Sequence, residues 1–300
     1  VHFNYSIADA LWLVLHKQSQ TSKNMQDFIF DAYFGLIRNF QRQGWILLYL
    51  FGASPATDKQ YFKDCPHKLT KQFDTLDKNT LYLPYATSLR MSEVGYQSKN
   101  QANLKINYNS LTGYVKSLRA AIETPCGEYQ NIGGKSDDKY LQLNSNILQI
   151  ENEYYSSVRP KQIPLSGEKP TLALNKRGVR YIEVRSIDLD PFSPIGFDES
   201  KGRFLEAFLL HCLMQESPLQ SEQESEINTA NHLLVANQGR KPGLKLYDNE
   251  RSITLKDWAQ QILQSMKSIC NILDQNILDE PYMKALKQQF DRVENIDLTD

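Results

Sequence analysis

Tyr181-Ile182-Glu183-Val184-Arg185-Ser186-Ile187-Asp188 places apolar residues at 182 and 184 between polar ones at 181, 183 and 185. Side chains alternate faces along a β-strand, so this period of two turns Ile182 and Val184 toward a core and sends Tyr181, Glu183 and Arg185 to the opposite face. The strand is expected over 179–188, with Asp190-Pro191-Phe192-Ser193-Pro194 ending it. A carboxylate and a guanidinium two residues apart on one sheet face suit a metal-nucleotide site. The carboxylate oxygen binds a hard cation, and the guanidinium meets phosphate oxygens in pairs. The pattern alone favours the plainer reading, a solvated face carrying an ion pair.

Outward from that strand, 141–155 alternates and reads as a second strand, with Gln149, Glu151, Glu153 and Tyr155 on one parity and Leu148, Ile150, Asn152 and Tyr154 on the other. Val1 to Tyr5 looks extended and sets His2 and Asn4 on one parity. Ser6 followed by Asp9 predicts a helix cap ahead of Leu11, Trp12, Val14 and Leu15. Helical spacing recurs from Asn24 (Phe28, Ala32, Leu36, Phe40, interrupted at Gly44) and over 110–123 behind an Asn109 or Ser110 cap, with Pro125 as the stop. Residues 56–80 read as a solvated connection. Phe204, Phe208 and Cys212 mark another helix, the acidic stretch 216–228 a loop or surface face, and two amphipathic helices close the chain. Strands and helices mix without steady βαβ alternation, which predicts an α+β fold with an antiparallel or mixed sheet.

The 300 residues, 41% hydrophobic and 23% charged, suffice for one large core or two ordinary ones, and a net charge of -1 gives no basic surface for a nucleic acid. The longest apolar run, Ile46 to Phe51, is far short of the roughly 20 residues that span a bilayer. Four scattered cysteines, Cys65, Cys126, Cys212 and Cys270, form no CxxC pair; they fit neither a zinc site nor a disulfide framework and point to a reducing cytosol. His16, His67, His211 and His232 lack ligand-spaced partners and read as structural or exposed. His2 alone is open to several roles, ligand, base or ordinary hydrogen-bonding residue. No GxxxxGKS or GxxxxGKT loop, strand-linked GxGxxG, GxSxG or HExxH is present, so a bound nucleotide would need another cradle. The sequence opens at Val1 without methionine or a signal-peptide head and reads as an excerpt of a longer protein.

Several stretches taken in order are more specific than any of these motifs. VHFNYS (1–6), AYFGLIRNFQRQGW (32–45), YLFGASPA (49–56), LPYATSLRMSEVGYQSKNQ (83–101), LQLNSNILQIENEYY (141–155), VRPK (158–161), YIEVRSIDLDPFSPIGFDE (181–199) and GRKPG (239–243) together resemble the bacterial type of glutamate-cysteine ligase, also called gamma-glutamylcysteine synthetase. The resemblance implies a glutamine-synthetase-like fold in which a curved antiparallel sheet holds substrates and metal on one face and helices cover the other, incomplete in this chain. It makes 1–300 the carboxy-terminal part of one ligase catalytic domain, with 1–245 the substrate- and metal-binding portion and 246–300 a helical portion.

It also implies ATP-dependent joining of the L-glutamate side-chain carboxylate to L-cysteine through a gamma-glutamyl phosphate, the first step of glutathione synthesis, in the cytoplasm, with ATP and Mg²⁺ and with Mn²⁺ tolerated. Under it His2 and Glu183 look like metal ligands, Arg185 like a nucleotide or phosphoryl contact, and Arg90 like a substrate-carboxylate contact. Tyr96 and Tyr155 look like walls of the cysteine pocket, and Asn152 like a polar contact near the phosphoryl group. The family's other metal carboxylates lie upstream of VHFNYS, where this chain begins, so these residues alone are expected to be inactive or nearly so. The ligase region of a bifunctional glutathione synthase and a non-catalytic module that keeps the fold are the competing readings, and a monomer is compatible with the sequence.

Overall fold

The computed structural model describes residues 1–63, 71–95, 101, 104–136 and 138–299. Its helices are α1 (Asp9–Ser19), α2 (Met25–Gln43), α3 (Trp45–Phe51), α4 (Leu111–Glu123) and α5 (Gly127–Ile132), followed by α6 (Pro170–Arg177), α7 (Glu199–Met214), α8 (Glu222–Gln238), α9 (Leu255–Leu273) and α10 (Pro281–Glu294). The strands are β1 (Phe3–Tyr5), β2 (Ala56–Asp58), β3 (Asp74–Thr75), β4 (Thr80–Tyr82) and β5 (Lys135–Ser136), then β6 (Lys139–Tyr140), β7 (Val158–Lys161), β8 (Tyr181–Val184), β9 (Lys245–Asp248) and β10 (Arg251–Thr254). Helix and small antiparallel sheets are thus mixed, as the sequence predicts.

β8 lies in the middle of a three-stranded antiparallel sheet of order β1-β8-β7. Glu183 stands opposite Asn4 on one side and Arg159 on the other, while Val184 stands opposite Phe3 and Val158. Residues directly opposite one another share a face. One face of this sheet is therefore apolar, with Ile182, Val184 and Val158 buried in the main core; the other carries Asn4, Glu183, Arg159, Lys161 and Tyr181. The core runs from Ile7 to Val293, with α2 against β7 and α7, and α7 against α9 and α10. The sheet rests on a helical layer, and a second helical layer backs the first.

Local sequence explains most of the boundaries. Asn24 caps α2 by accepting from the Asp27 backbone N–H, and Ser110 caps α4 by accepting from Gly113. α1 begins at Asp9, with Ala8 at its cap and no side-chain cap bond, so Ser6 is not the cap. The cause is the buried Ile7, whose N–H donates to Tyr33 Oη and holds the chain extended past Ser6. Residues 56–80 are more than a surface connection where they are described, since β2, β4 and β3 pair there as a small sheet. The acidic stretch resolves into a loop and the first turns of α8, capped by Ser221.

The expected strand at 141–155 does not form. That segment carries one isolated bridge, Asn146 with Pro125, and a short turn of 3-10 helix at Glu151–Glu153. Its own polar side chains take the backbone groups a ladder would need. Asn144 Oδ1 accepts from Asn146 N–H and its Nδ2 donates to the Gln149 carbonyl; Gln149 Oε1 accepts from Leu143 N–H, and Glu153 accepts from Gln149 N–H. β8 also stops at Val184, short of the expected Asp188; beyond it the carbonyls of Arg185 and Ile187 accept from the Arg90 guanidinium, and Ile187 accepts from the Val1 amino group as well.

Candidate active site on the polar sheet face

Glu183 is the centre of the polar face and is almost fully buried, with 8% of its surface exposed. Three basic groups surround its carboxylate, with Lys161 Nζ at 3.7 Å, His2 Nδ1 at 3.9 Å and Arg185 Nε at 4.0 Å. Lys161 comes from β7 and lies diagonal to Glu183, as the pairing of Lys161 with Tyr181 requires. Burial lowers the Lys161 pKa and the Glu183 charge pulls it back up. Burial also lowers the His2 pKa, with the Arg185 charge adding to the effect against the pull of Glu183, so the imidazole is neutral near pH 7 and keeps a lone pair.

Arg185 projects from the end of β8. Its guanidinium lies over the Tyr155 ring, 5.2 Å from the centroid, and its buried Nε–H has no hydrogen-bond acceptor among the described residues. Arg159 is buried and donates to the carbonyls of Glu151 and Asn152 at 3.1 and 3.4 Å. That grip brings Asn152 to the edge of the face, where it lines a cavity of about 190 Å³ together with Arg159, Lys161 and Tyr181.

Arg90 sits on the short 3-10 turn Leu89–Met91 and locks the region after β8. Its Nε donates to Asp188 Oδ1 at 2.8 Å, one terminal nitrogen donates to the carbonyls of Arg185 and Ile187, and the other reaches Tyr155 Oη at 3.3 Å. Asp188 is buried and also accepts from Ala53 N–H and Ser54 Oγ. Tyr155 in turn donates to Met91 Sδ, and its N–H is held by Gln101. The structure therefore brings His2, Glu183, Arg185, Arg90 and Tyr155 together, with Asn152 at the rim. Tyr96 lies outside the described residues.

Sequence reasoning missed Lys161, Arg159 and Asp188. Lys161 and Arg159 alternate inside the quoted VRPK stretch, so strand parity was an available signal once β7 was paired with β8. Asp188 carried no local signal. The described cysteines 126, 212 and 270 are free and buried, and burial pushes the Cys270 thiol up to about 12, far from an activated thiolate. Cys65 and His67 lie outside the described residues.

As a cation site the face is partial. Glu183 offers oxygen and His2 an imidazole nitrogen, and among the described residues no group of three or more His, Cys, Asp or Glu side chains is placed to hold a metal. Mg²⁺ favours six oxygens, so these two side chains can form only one edge of a coordination shell. Anion binding is better supplied, by Lys161 and by the Arg185 guanidinium.

Comparison with known proteins fits this geometry. The family model described as glutamate-cysteine ligase matches residues 1–235. The chain belongs to the glutamate-cysteine ligase family. It is 47% identical over 299 residues to a glutamate–cysteine ligase of Pseudomonas putida and 45% identical to that of Pseudomonas aeruginosa, matching all of this chain and 56% of each relative. The chain thus spans little more than half the length of these curated members. Among solved structures, the glutamate–cysteine ligase of Francisella tularensis in complex with AMP superposes with a TM-score of 0.88 at 36% identity, over 99% of this chain and 57% of that one. A bifunctional glutathione synthetase from Pasteurella multocida gives a TM-score of 0.69 at 24% identity, over 98% of this chain and 32% of that one, a likeness of fold alone. Among the described residues no helix is long and apolar enough to cross a membrane.

Proposed function

We propose that this chain supplies the phosphoryl-transfer face of an ATP-dependent ligase that joins the side-chain carboxylate of L-glutamate to the amine of L-cysteine, the first step of glutathione synthesis, in the cytoplasm. The observation that carries the reading is Glu183 at the centre of three basic side chains, Lys161, His2 and Arg185. Phosphate oxygens are the acceptors that a guanidinium recognises best. Family membership and the AMP bound to the Francisella relative support the use of a nucleotide.

In this reading the glutamate carboxylate attacks the γ-phosphorus of ATP, the bond to ADP breaks, and an acyl phosphate forms on glutamate. The cysteine amine then attacks the acyl carbon, loses a proton and displaces phosphate. Lys161 and Arg185 offset the charge that spreads over the transferring phosphoryl oxygens. Arg90, fixed by Asp188, Tyr155 and two backbone carbonyls, keeps one N–H for a substrate carboxylate; Tyr155 walls the cysteine pocket with Tyr96, and Asn152 makes a polar contact at the rim. Glu183 and His2 would hold one side of Mg²⁺ or Mn²⁺, which when bound neutralises phosphate charge.

The finer fold reading goes with it, a glutamine-synthetase-like sheet whose open face holds the substrates, residues 1–245 forming the binding portion and 246–300 a helical portion. The test compares amines in the full-length protein by ADP release. L-cysteine is expected to outcompete 2-aminobutyrate, and failure to do so would contradict a thiol-selective pocket.

A further inference from the structure

Ser54 touches both halves of the ion pair that orients Arg90. The residue before a proline is held extended, and Ser54 precedes Pro55. In that conformation it bridges to Ser88 in parallel: its N–H donates to the Thr87 carbonyl at 3.1 Å, and its own carbonyl accepts from Leu89 N–H at 2.8 Å. The Ser54 backbone is thereby fastened to the segment that leads into Arg90. Its side chain is fastened to the other half of the pair, since Ser54 Oγ donates to Asp188 Oδ2 at 2.6 Å.

A carboxylate turns easily about its last side-chain bond, and Asp188 lies beyond the end of β8. Its orientation is set by the donors on one oxygen. Oδ2 accepts from Ala53 N–H at 3.1 Å and from Ser54 Oγ, which leaves Oδ1 for Arg90 Nε at 2.8 Å. Ser54 has one hydroxyl proton to give, and the Asp188 carboxylate is a stronger acceptor than Ser88 Oγ, which lies 3.3 Å away. A guanidinium is planar, with its N–H groups in a fixed fork. The bond at Nε, together with those to the Arg185 and Ile187 carbonyls and to Tyr155 Oη, therefore sets the direction of the N–H left for a substrate carboxylate.

We propose that Ser54 is a positioning residue that acts through Asp188 to aim Arg90 at the carboxylate of an amino-acid substrate. This rests on Arg90 holding such a carboxylate, which either L-glutamate or L-cysteine can supply.

The test is steady-state ADP release by the full-length protein, with ATP, L-glutamate and L-cysteine varied in turn. Ser54→Ala removes one hydroxyl and keeps both backbone bonds. It is expected to raise KM for one of the two amino acids about tenfold, with kcat and the other two KM values within about twofold of the parent; the KM that moves identifies the carboxylate. Arg90→Lys, which keeps the charge and loses the planar fork, should raise that same KM. The double variant should show no rise beyond that of Arg90→Lys alone, because the serine acts only through the arginine. A serine that merely stabilises the fold would lower the melting midpoint and leave every KM in place. That result, or additive rises in the double variant, would overturn the proposal and leave the ligase reading standing. Unchanged KM values in Arg90→Lys would instead refute the role of Arg90, and the proposal with it.

Discussion

Lys161 and Glu183 approach to 3.7 Å from neighbouring strands, and the lysine ammonium is the nearest cation to that carboxylate among the described residues. If Lys161 stabilises the transferring phosphoryl group, Lys161→Met in the full-length protein keeps the aliphatic stem and lowers kcat about a hundredfold, with the thermal midpoint little changed. An unaltered kcat would remove Lys161 from the reaction. Glu183 and Arg185 are legible from period-two alternation, which needs no tertiary information. Asp188 is not, because its partners Ala53, Ser54 and Arg90 lie 98–135 residues away and nothing beside it in sequence announces them. A different residue-scale prediction concerns pH. His211 is buried on α7 beside Gln43 and Ser265, and burial pushes its pKa down to about 4. The unfolded chain takes up this proton near pH 6.5 while the folded one resists until about 4, so the unfolded state binds more protons across that window. Stability is therefore full above pH 6.5 and falls as pH drops toward 4, by about 3 kcal/mol at most. His211→Gln should give a shallower decline of melting temperature over that range; an identical decline would contradict the assignment.

Among the elements, β8 depends on the turn that delivers it from α6. Gly178 adopts φ of +71°, and a Cβ there would lie 1.6 Å from the Phe30 ring. Gly178→Ala combines positive-φ strain with an overlap that forces the Phe30 ring to swing aside, a cost of about 1–3 kcal/mol. Denaturant unfolding should show that loss, and a change under about 0.5 kcal/mol would mean that the turn relaxes freely. Helices α2, α4, α7, α9 and α10 were legible, whereas α8 was read as a loop or surface face. Asn24 and Ser110 cap α2 and α4 as their side chains suggest, because capping is settled within four residues. The false strand at 141–155 shows the opposite case, in which alternation was present but Asn144, Gln149 and Glu153 satisfy the local backbone. Ser6 failed as a cap because a tertiary bond, Ile7 N–H to Tyr33 Oη, holds the chain extended beyond it.

At the scale of the whole molecule, the polar face is positioned by what lies behind it. Ile182, Val184 and Val158 are buried in one core with α2 and α7, and α7 in turn packs with α9 and α10, so β8 cannot slip register without exposing that face. The rigid backing fixes Glu183 between His2, Lys161 and Arg185, groups drawn from positions 2, 161 and 185 of the chain. The most direct test is the turnover of full-length Glu183→Gln at saturating Mg²⁺, read as ADP release with L-glutamate and L-cysteine present. The account predicts a fall in kcat of about a hundredfold or more with circular dichroism and melting close to the parent protein. Undiminished kcat under those conditions would contradict the placement of the reaction on this face.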